Sequence, residues 1–254
     1  MLKKKRILLK VGSNTLTKET DNISRGKIED IASQIAQLQD TCEFIIVSSG
    51  AIAVAKQFVK LESQREELFV KQALASIGQP HLIRIYQEIF REYGLLSSQC
   101  LLSYSDFEKQ ESKTNIVNTI NVLVNNNYIP IINENDTVAT DEIKFGDNDK
   151  LGALTASLLG VDLFIIATNT NGIYTKASMK NNAPETIEEV EDFEALKTEV
   201  VNSKSSHGSG GMASKIEAAS LAKNAQIETW IVNGLEDHFI LNAMENKVPF
   251  TKIK

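Results

Sequence analysis

Short apolar runs recur along the chain at intervals that helices can fill, and most of them stop abruptly in polar residues. The runs Ile7 to Lys10, Phe44 to Val47, Gln99 to Leu102, Tyr128 to Ile132, Leu163 to Ala167 and Glu228 to Val232 are the predicted strands. Leu163-Phe164-Ile165-Ile166-Ala167 is apolar throughout, as in a central parallel strand covered on both faces. Between these runs, Ile28, Ile31, Ile35 and Leu38 fall at helical spacing, and so do the apolar positions of residues 68–93, 115–126 and 151–159 and of the segment carrying Ile216, Ala219, Leu221 and Ala222. Gly78 and Pro80 are expected to break the long helical stretch, whose Leu74, Ile77, Leu82, Ile85, Ile89 and Phe90 read as core or subunit-interface positions. A surface loop over 177–184, a short edge strand over 187–190, a helix over 192–201 and a short helix over 238–244 complete the expectation. Strands alternating with helices through short loops imply an α/β three-layer α/β/α sandwich with a mostly parallel central sheet, in one domain spanning residues 1–254.

Four of the strands run into polar clusters: Lys10 to Ser13, Ser48 to Gly50, Asn133 to Asp136, and Thr168 to Gly172. In a parallel sheet these carboxyl ends share one edge, where ligands bind. The densest cluster lies in residues 131–156, IINENDTVATDEIKFGDNDKLGALTA, where Asn133, Glu134, Asn135 and Asp136 close a strand and Asp147, Asn148 and Asp149 open a helix. Asn and Asp are also ordinary turn and helix-capping residues. Massed at both ends of a loop between a core strand and a core helix, however, they point to a small-molecule site.

A second signal is Gly208 followed by Ser209-Gly210-Gly211-Met212-Ala213-Ser214-Lys215. Three glycines within four residues let backbone approach a phosphate closely, and a lysine in the first helical turn supplies a mobile cation. Ser214, not glycine, precedes Lys215, and the turn after the first strand holds a single Gly12 without a GxGxxG pattern, which argues against a P-loop NTPase and a Rossmann dehydrogenase. Lys10 and Lys215 can flank a transferring phosphoryl group, because that transfer depends mainly on positioning and on charge neutralisation. A carboxylate acceptor, with an ordinary pKa of about 4.3, is already ionised and needs no general base. That fits a chain whose three histidines, His81, His207 and His238, are scattered. Asp147 and Asp149 then have two possible roles: to keep two lysines together against their repulsion, or to help hold a magnesium ion ligated mainly by phosphates.

Composition narrows the partners. With 254 residues and 42% apolar content the chain can bury a sizeable core, and its formal charge of −6 gives no global positive field for nucleic acid or membrane. Cys42 and Cys100 form neither a CxxC nor a Cys/His cluster, so they read as reduced thiols of a cytoplasmic protein, with no resident metal site. The basic Lys3-Lys4-Lys5-Arg6 precedes a run too short for a signal peptide or a membrane span.

LLKVGSNTLT (8–17), VSSGAIA (47–53), INENDTVAT with GDNDKLGAL (within 131–154) and SGGMASK (209–215) together resemble the amino acid kinase superfamily, and within it the glutamate 5-kinase family. The resemblance covers nearly the whole chain. It implies transfer of a phosphoryl group from ATP, with Mg2+, to the side-chain carboxylate of L-glutamate, giving L-glutamyl 5-phosphate in the first step of proline synthesis. It also implies that Lys10 and Lys215 stabilise the transition state and that Asp149 organises them. Ser49, Gly50, Asn133, Asp136, Asp147 and Asn148 are the matching substrate positions. Lys10, Gly12, Thr168, Asn169 and the run Ser209, Gly210, Gly211, Met212, Ala213, Ser214 and Lys215 are the nucleotide positions. Asn169 departs from the family pattern, which often has Asp after the threonine, and with Lys254 as the last residue the PUA-type domain many bacterial members carry is expected to be missing. Feedback inhibition by L-proline and hand-off of product to glutamyl phosphate reductase are further expectations of the resemblance. The apolar surplus of residues 68–90 adds that of a homo-oligomer, dimer or tetramer. Two alternatives remain at this point: a kinase of the same fold acting on N-acetylglutamate or aspartate, and a sensor that binds without catalysis.

Overall fold

The uninterrupted apolar runs become the middle of a single sheet, because strands buried on both faces have no solvent side to mark with polar residues. The computed structural model describes residues 3–18, 22–61, 67–139, 148–175, 178–179, 181, 183–190, 192–193, 195–196 and 211–254. Its strands are β1 (Lys5–Val11), β2 (Cys42–Ser48), β3 (Leu96–Leu102), β4 (Tyr128–Glu134), β5 (Leu163–Thr168), β6 (Glu189–Val190), β7 (Glu228–Asn233) and β8 (Thr251–Ile253), in the order β3-β4-β2-β1-β5-β7-β8-β6. Every neighbouring pair is parallel except β7 with β8. Register places Lys10 between Val47 and Ile166, so the carboxyl ends of β2, β1 and β5 are level.

The helices are α1 (Ser13–Thr17), α2 (Arg25–Leu38), α3 (Ala51–Lys56), α4 (Glu67–Glu92), α5 (Gln110–Asn125), α6 (Asp149–Leu159), α7 (Met212–Asn224) and α8 (Phe239–Met244). Alternation along β1 divides the core: Ile7, Leu9 and Val11 pack with α2, α4 and α8, whereas Leu8 faces the layer of α5, α6 and α7. Lys10 follows Leu8 in this alternation and therefore points towards α6 and α7. Among the described residues no helix is long and apolar enough to cross a membrane.

Two expectations need correcting. The stretch expected to break at Gly78 and Pro80 is one continuous helix, α4. Gly78 marks a crossing instead: a Cβ there would lie 1.8 Å from the Ala51 carbonyl oxygen, so α4 can rest on the backbone of α3 only where a side chain is missing. The chain also does not close with α8, because Thr251–Ile253 returns as β8, antiparallel to β7. Three residues are too few for periodicity to reveal a strand. Much of the expected loop over 177–184 and most of the expected helix over 192–201 lie outside the described residues.

Candidate active site

Asp149 is where the two layers of the site meet. It is the first residue of α6, fully buried, with Lys10 Nζ 2.5 Å from Oδ1 and Lys215 Nζ 2.9 Å from Oδ2. Lys10 arrives from the end of β1 and Lys215 from the first turn of α7, so residues 205 positions apart in sequence share one carboxylate. Ser214 Oγ donates a further hydrogen bond to Asp149 Oδ2 at 3.1 Å. The approach of α6 depends on Gly152, one turn on, where a Cβ would sit 3.0 Å from the Phe164 ring and 3.6 Å from the Lys10 stem. Burial alone pushes the Asp149 carboxyl up, but the adjacent Lys10 and Lys215 ammonium groups override it and hold it down at about 2. Within this trio two positive charges meet one negative, an arrangement suited to an incoming anion.

Beside the trio lies a pocket of amides and hydroxyls. Asn148, the residue that caps α6, is buried; its Nδ2 donates to Asn133 Oδ1 (2.7 Å), the Ser48 carbonyl (3.2 Å) and Ser49 Oγ (3.2 Å). Gly50, with φ of 113°, turns the chain from β2 into α3. Ser48 Oγ hydrogen-bonds the buried Tyr86 hydroxyl at 3.0 Å, and burial, opposed by that bond, pushes the tyrosine up to about 12. Asp136 follows β4 and is held by Gln72 Nε2, which donates to its backbone carbonyl at 3.2 Å. Burial raises its side-chain carboxyl to about 6. Among the described residues, buried Oδ1 of Asn148 and Oδ1 of Asp136 have no hydrogen-bond partner. Both are acceptors, so the pocket is shaped for a ligand that donates.

On the other side of the trio, Gly12 caps α1 and would bring a Cβ within 3.3 Å of Lys10 Nζ. Thr168 ends β5 and its hydroxyl donates to Asn169 Oδ1 at 3.5 Å. Gly211 caps α7, whose first turn carries Met212, Ala213, Ser214 and Lys215; no side chain caps that end and no acidic residue lies in its first turn. The N–H groups and dipole at the amino end of a helix suit a phosphate. The expected site residues Asp147, Ser209 and Gly210 lie outside the described residues. Sequence reading missed the Ser214 contact to Asp149 and the entry of Gln79 into the amide cluster. A polar residue inside an otherwise apolar helical stripe was the available signal for Gln79. Among the described residues no group of three His, Cys, Asp or Glu could hold a metal ion, and both Asp149 oxygens face ammonium groups; Asp147, the other carboxylate considered for magnesium, lies outside the described residues.

Paired lysines on one aspartate lie at the carboxyl edge of a parallel sheet, between an amide pocket and a glycine-led helix, an arrangement that suits phosphoryl transfer. The sequence profile of the amino acid kinase family matches residues 5–233, and the chain belongs to that family. Among curated proteins it is 36% identical over 245 residues to a glutamate 5-kinase of Alkaliphilus metalliredigens, covering 96% of this chain and 93% of that one. It is 40% identical to a glutamate 5-kinase of Thermoanaerobacter sp. over 95% of this chain but 65% of that longer protein, and 38% identical to one of Vibrio vulnificus over 94% and 64%. These matches place it with the glutamate 5-kinase group. Carbamate kinase from Giardia lamblia bound to AMP-PNP (TM-score 0.69, 17% identity) and UMP kinase from Ureaplasma parvum (TM-score 0.66, 15% identity) share the fold along the full chain.

Proposed function

We propose that the protein transfers the γ-phosphoryl group of ATP to the side-chain carboxylate of L-glutamate, the first step of proline biosynthesis, and that the Lys10–Asp149–Lys215 trio is its catalytic centre. One geometric fact carries the assignment of the trio: two ammonium groups from distant parts of the chain are held on opposite oxygens of one buried carboxylate. A γ-carboxylate oxygen attacks the γ-phosphorus, the bond to the bridging oxygen breaks, and ADP leaves with the electron pair. The acceptor is already ionised, so no proton has to be removed. Lys10 and Lys215 neutralise charge spread over the transferring group, and Asp149 keeps the two cations together. ATP enters as its magnesium complex, a substrate whose phosphates ligate the ion. Gly12, Thr168, Asn169 and Gly211 to Lys215 form the nucleotide side, to which the family pattern adds Ser209 and Gly210.

The acceptor is read from the amide pocket. Asp136 and Asn148 each offer a buried oxygen that accepts, which matches the α-ammonium of a free amino acid and not the acylated nitrogen of N-acetylglutamate. Ser49, Gly50 and Asn133 complete the pocket, to which the family pattern adds Asp147. Trapping the acyl phosphate with hydroxylamine across a panel of glutamate, N-acetylglutamate and aspartate tests this: hydroxamate is expected with glutamate, and turnover of N-acetylglutamate without glutamate overturns it.

The position of Asp136 also fixes a pH dependence. Its carboxyl titrates at about 6, while free glutamate keeps a constant charge from pH 5.5 to 8, so the KM for glutamate should be flat above pH 7 and climb by about tenfold per unit below pH 6. Asp136→Asn should raise the KM at pH 8 and remove the dependence; a flat profile in the parent enzyme contradicts the role.

The exposed Phe69 on α4 and Leu101 on the α4 side of the edge strand β3, at 51% and 37% exposure, belong to the face that a second copy of the chain covers in this reading. Sedimentation at micromolar concentration should show a dimer or tetramer, and a monomer alone removes the proposal. A cytoplasmic setting, inhibition by L-proline in the hydroxamate assay and co-elution with glutamyl phosphate reductase complete the reading; an unresponsive enzyme or independent elution withdraws the respective part.

A further inference from the structure

A chain of side-chain amides runs from the sheet edge into the pocket. Gln79 Nε2 on α4 donates to Gln99 Oε1 on β3 at 3.4 Å, and Gln79 Oε1 accepts from Asn133 Nδ2 at 2.8 Å. Asn133 Oδ1 in turn accepts from Asn148 Nδ2 at 2.7 Å. Two backbone groups fix the direction of this chain. The Ser48 carbonyl, 3.2 Å from Asn148 Nδ2, can only accept, and the Glu134 N–H, 2.9 Å from Asn133 Oδ1, can only donate. Turning either amide over would therefore set donor against donor or acceptor against acceptor. With its Nδ2 committed on one side, Asn148 must present Oδ1 on the other.

Gln79 supplies the far end of the arrangement. It is 8% exposed, and the Gly78 contact with the α3 backbone sets the depth at which α4 lies and so the reach of its side chain. Without Gln79 Oε1, the buried Asn133 Nδ2 loses its acceptor, and turning Asn133 over to relieve this places its amide nitrogen against that of Asn148. Asn148 then loses its shortest partner and is held by the Ser48 carbonyl and Ser49 Oγ alone, so its orientation is less tightly fixed.

We propose that Gln79 is a positioning residue that acts through Asn133 to hold Asn148 with its side-chain oxygen turned towards the α-ammonium of the acceptor amino acid. The proposal rests on reading this pocket as the glutamate site, which turnover of glutamate by the parent enzyme tests separately. Gln79→Leu should raise the KM for glutamate by about tenfold, equivalent to about 1.4 kcal/mol, and leave the KM for MgATP within about twofold. In an Asn133→Ala background the same substitution should change the glutamate KM by less than about twofold, because the intermediary is already gone. A merely structural role predicts the same loss in both backgrounds, or a joint rise of both KM values, and either result overturns the proposal. So does an unchanged glutamate KM in the parent background. Should Gln79→Leu fail to fold, Gln79→Met, which fills similar volume without the amide, carries the same comparison.

Discussion

Replacing either Lys10 or Lys215 by alanine is expected to lower kcat by about a hundredfold or more, the loss typical of removing one preorganised donor from a transition state. Both ammonium groups sit on Asp149, so each should act on the same developing charge, and the two losses should be similar in size. The double variant should fall by less than the product of the single losses, because the groups work as a unit. Steady-state assays of ADP release measure all three. A kcat within tenfold of the parent in either single variant would remove that lysine from the chemistry.

Asp149→Asn is expected to be the most damaging conservative change, because it strikes catalysis and stability together. The side chain keeps its shape, but two buried ammonium groups are left facing a neutral amide, and kcat should drop by about a hundredfold or more as their spacing relaxes. Stability follows from linkage. The Asp149 carboxyl is held at about 2 in the folded protein, below its ordinary 3.8, so its contribution is fully present above about pH 4 and is lost as pH falls towards 2. Asp149→Asn should cost about 2 kcal/mol at pH 7, with the gap from the parent narrowing by pH 3. Denaturant unfolding at the two pH values checks this, and equal stability at pH 7 contradicts it.

Where sequence could speak, it spoke through burial. β1, β2 and β5 were legible as apolar runs because both faces of each strand are covered. Their polar endings marked a shared edge because parallel register aligns carboxyl ends. The first half of β3 was not legible, since an edge strand with half-exposed serines carries no apolar run. Neither were the five residues of α1 nor the three of β8, too short for any period. α4 misled for a physical reason: glycine and proline usually punctuate helices, yet here contact with α3 favours the glycine. In the site, the trio could be anticipated as charges that need one another. The partner of Asn133 could not, because a hydrogen bond between residues 54 positions apart leaves no local pattern.

The central claim is that two cations, anchored on Asp149, close around one phosphoryl group in flight. Affinity for a planar mimic of that group tests it most directly, by titrating MgADP with aluminium fluoride in the presence of glutamate. The parent enzyme should bind the mimic, and Lys10→Ala and Lys215→Ala should each weaken it by about a hundredfold, in step with their loss of kcat. Undiminished affinity for the mimic in either variant would contradict the account.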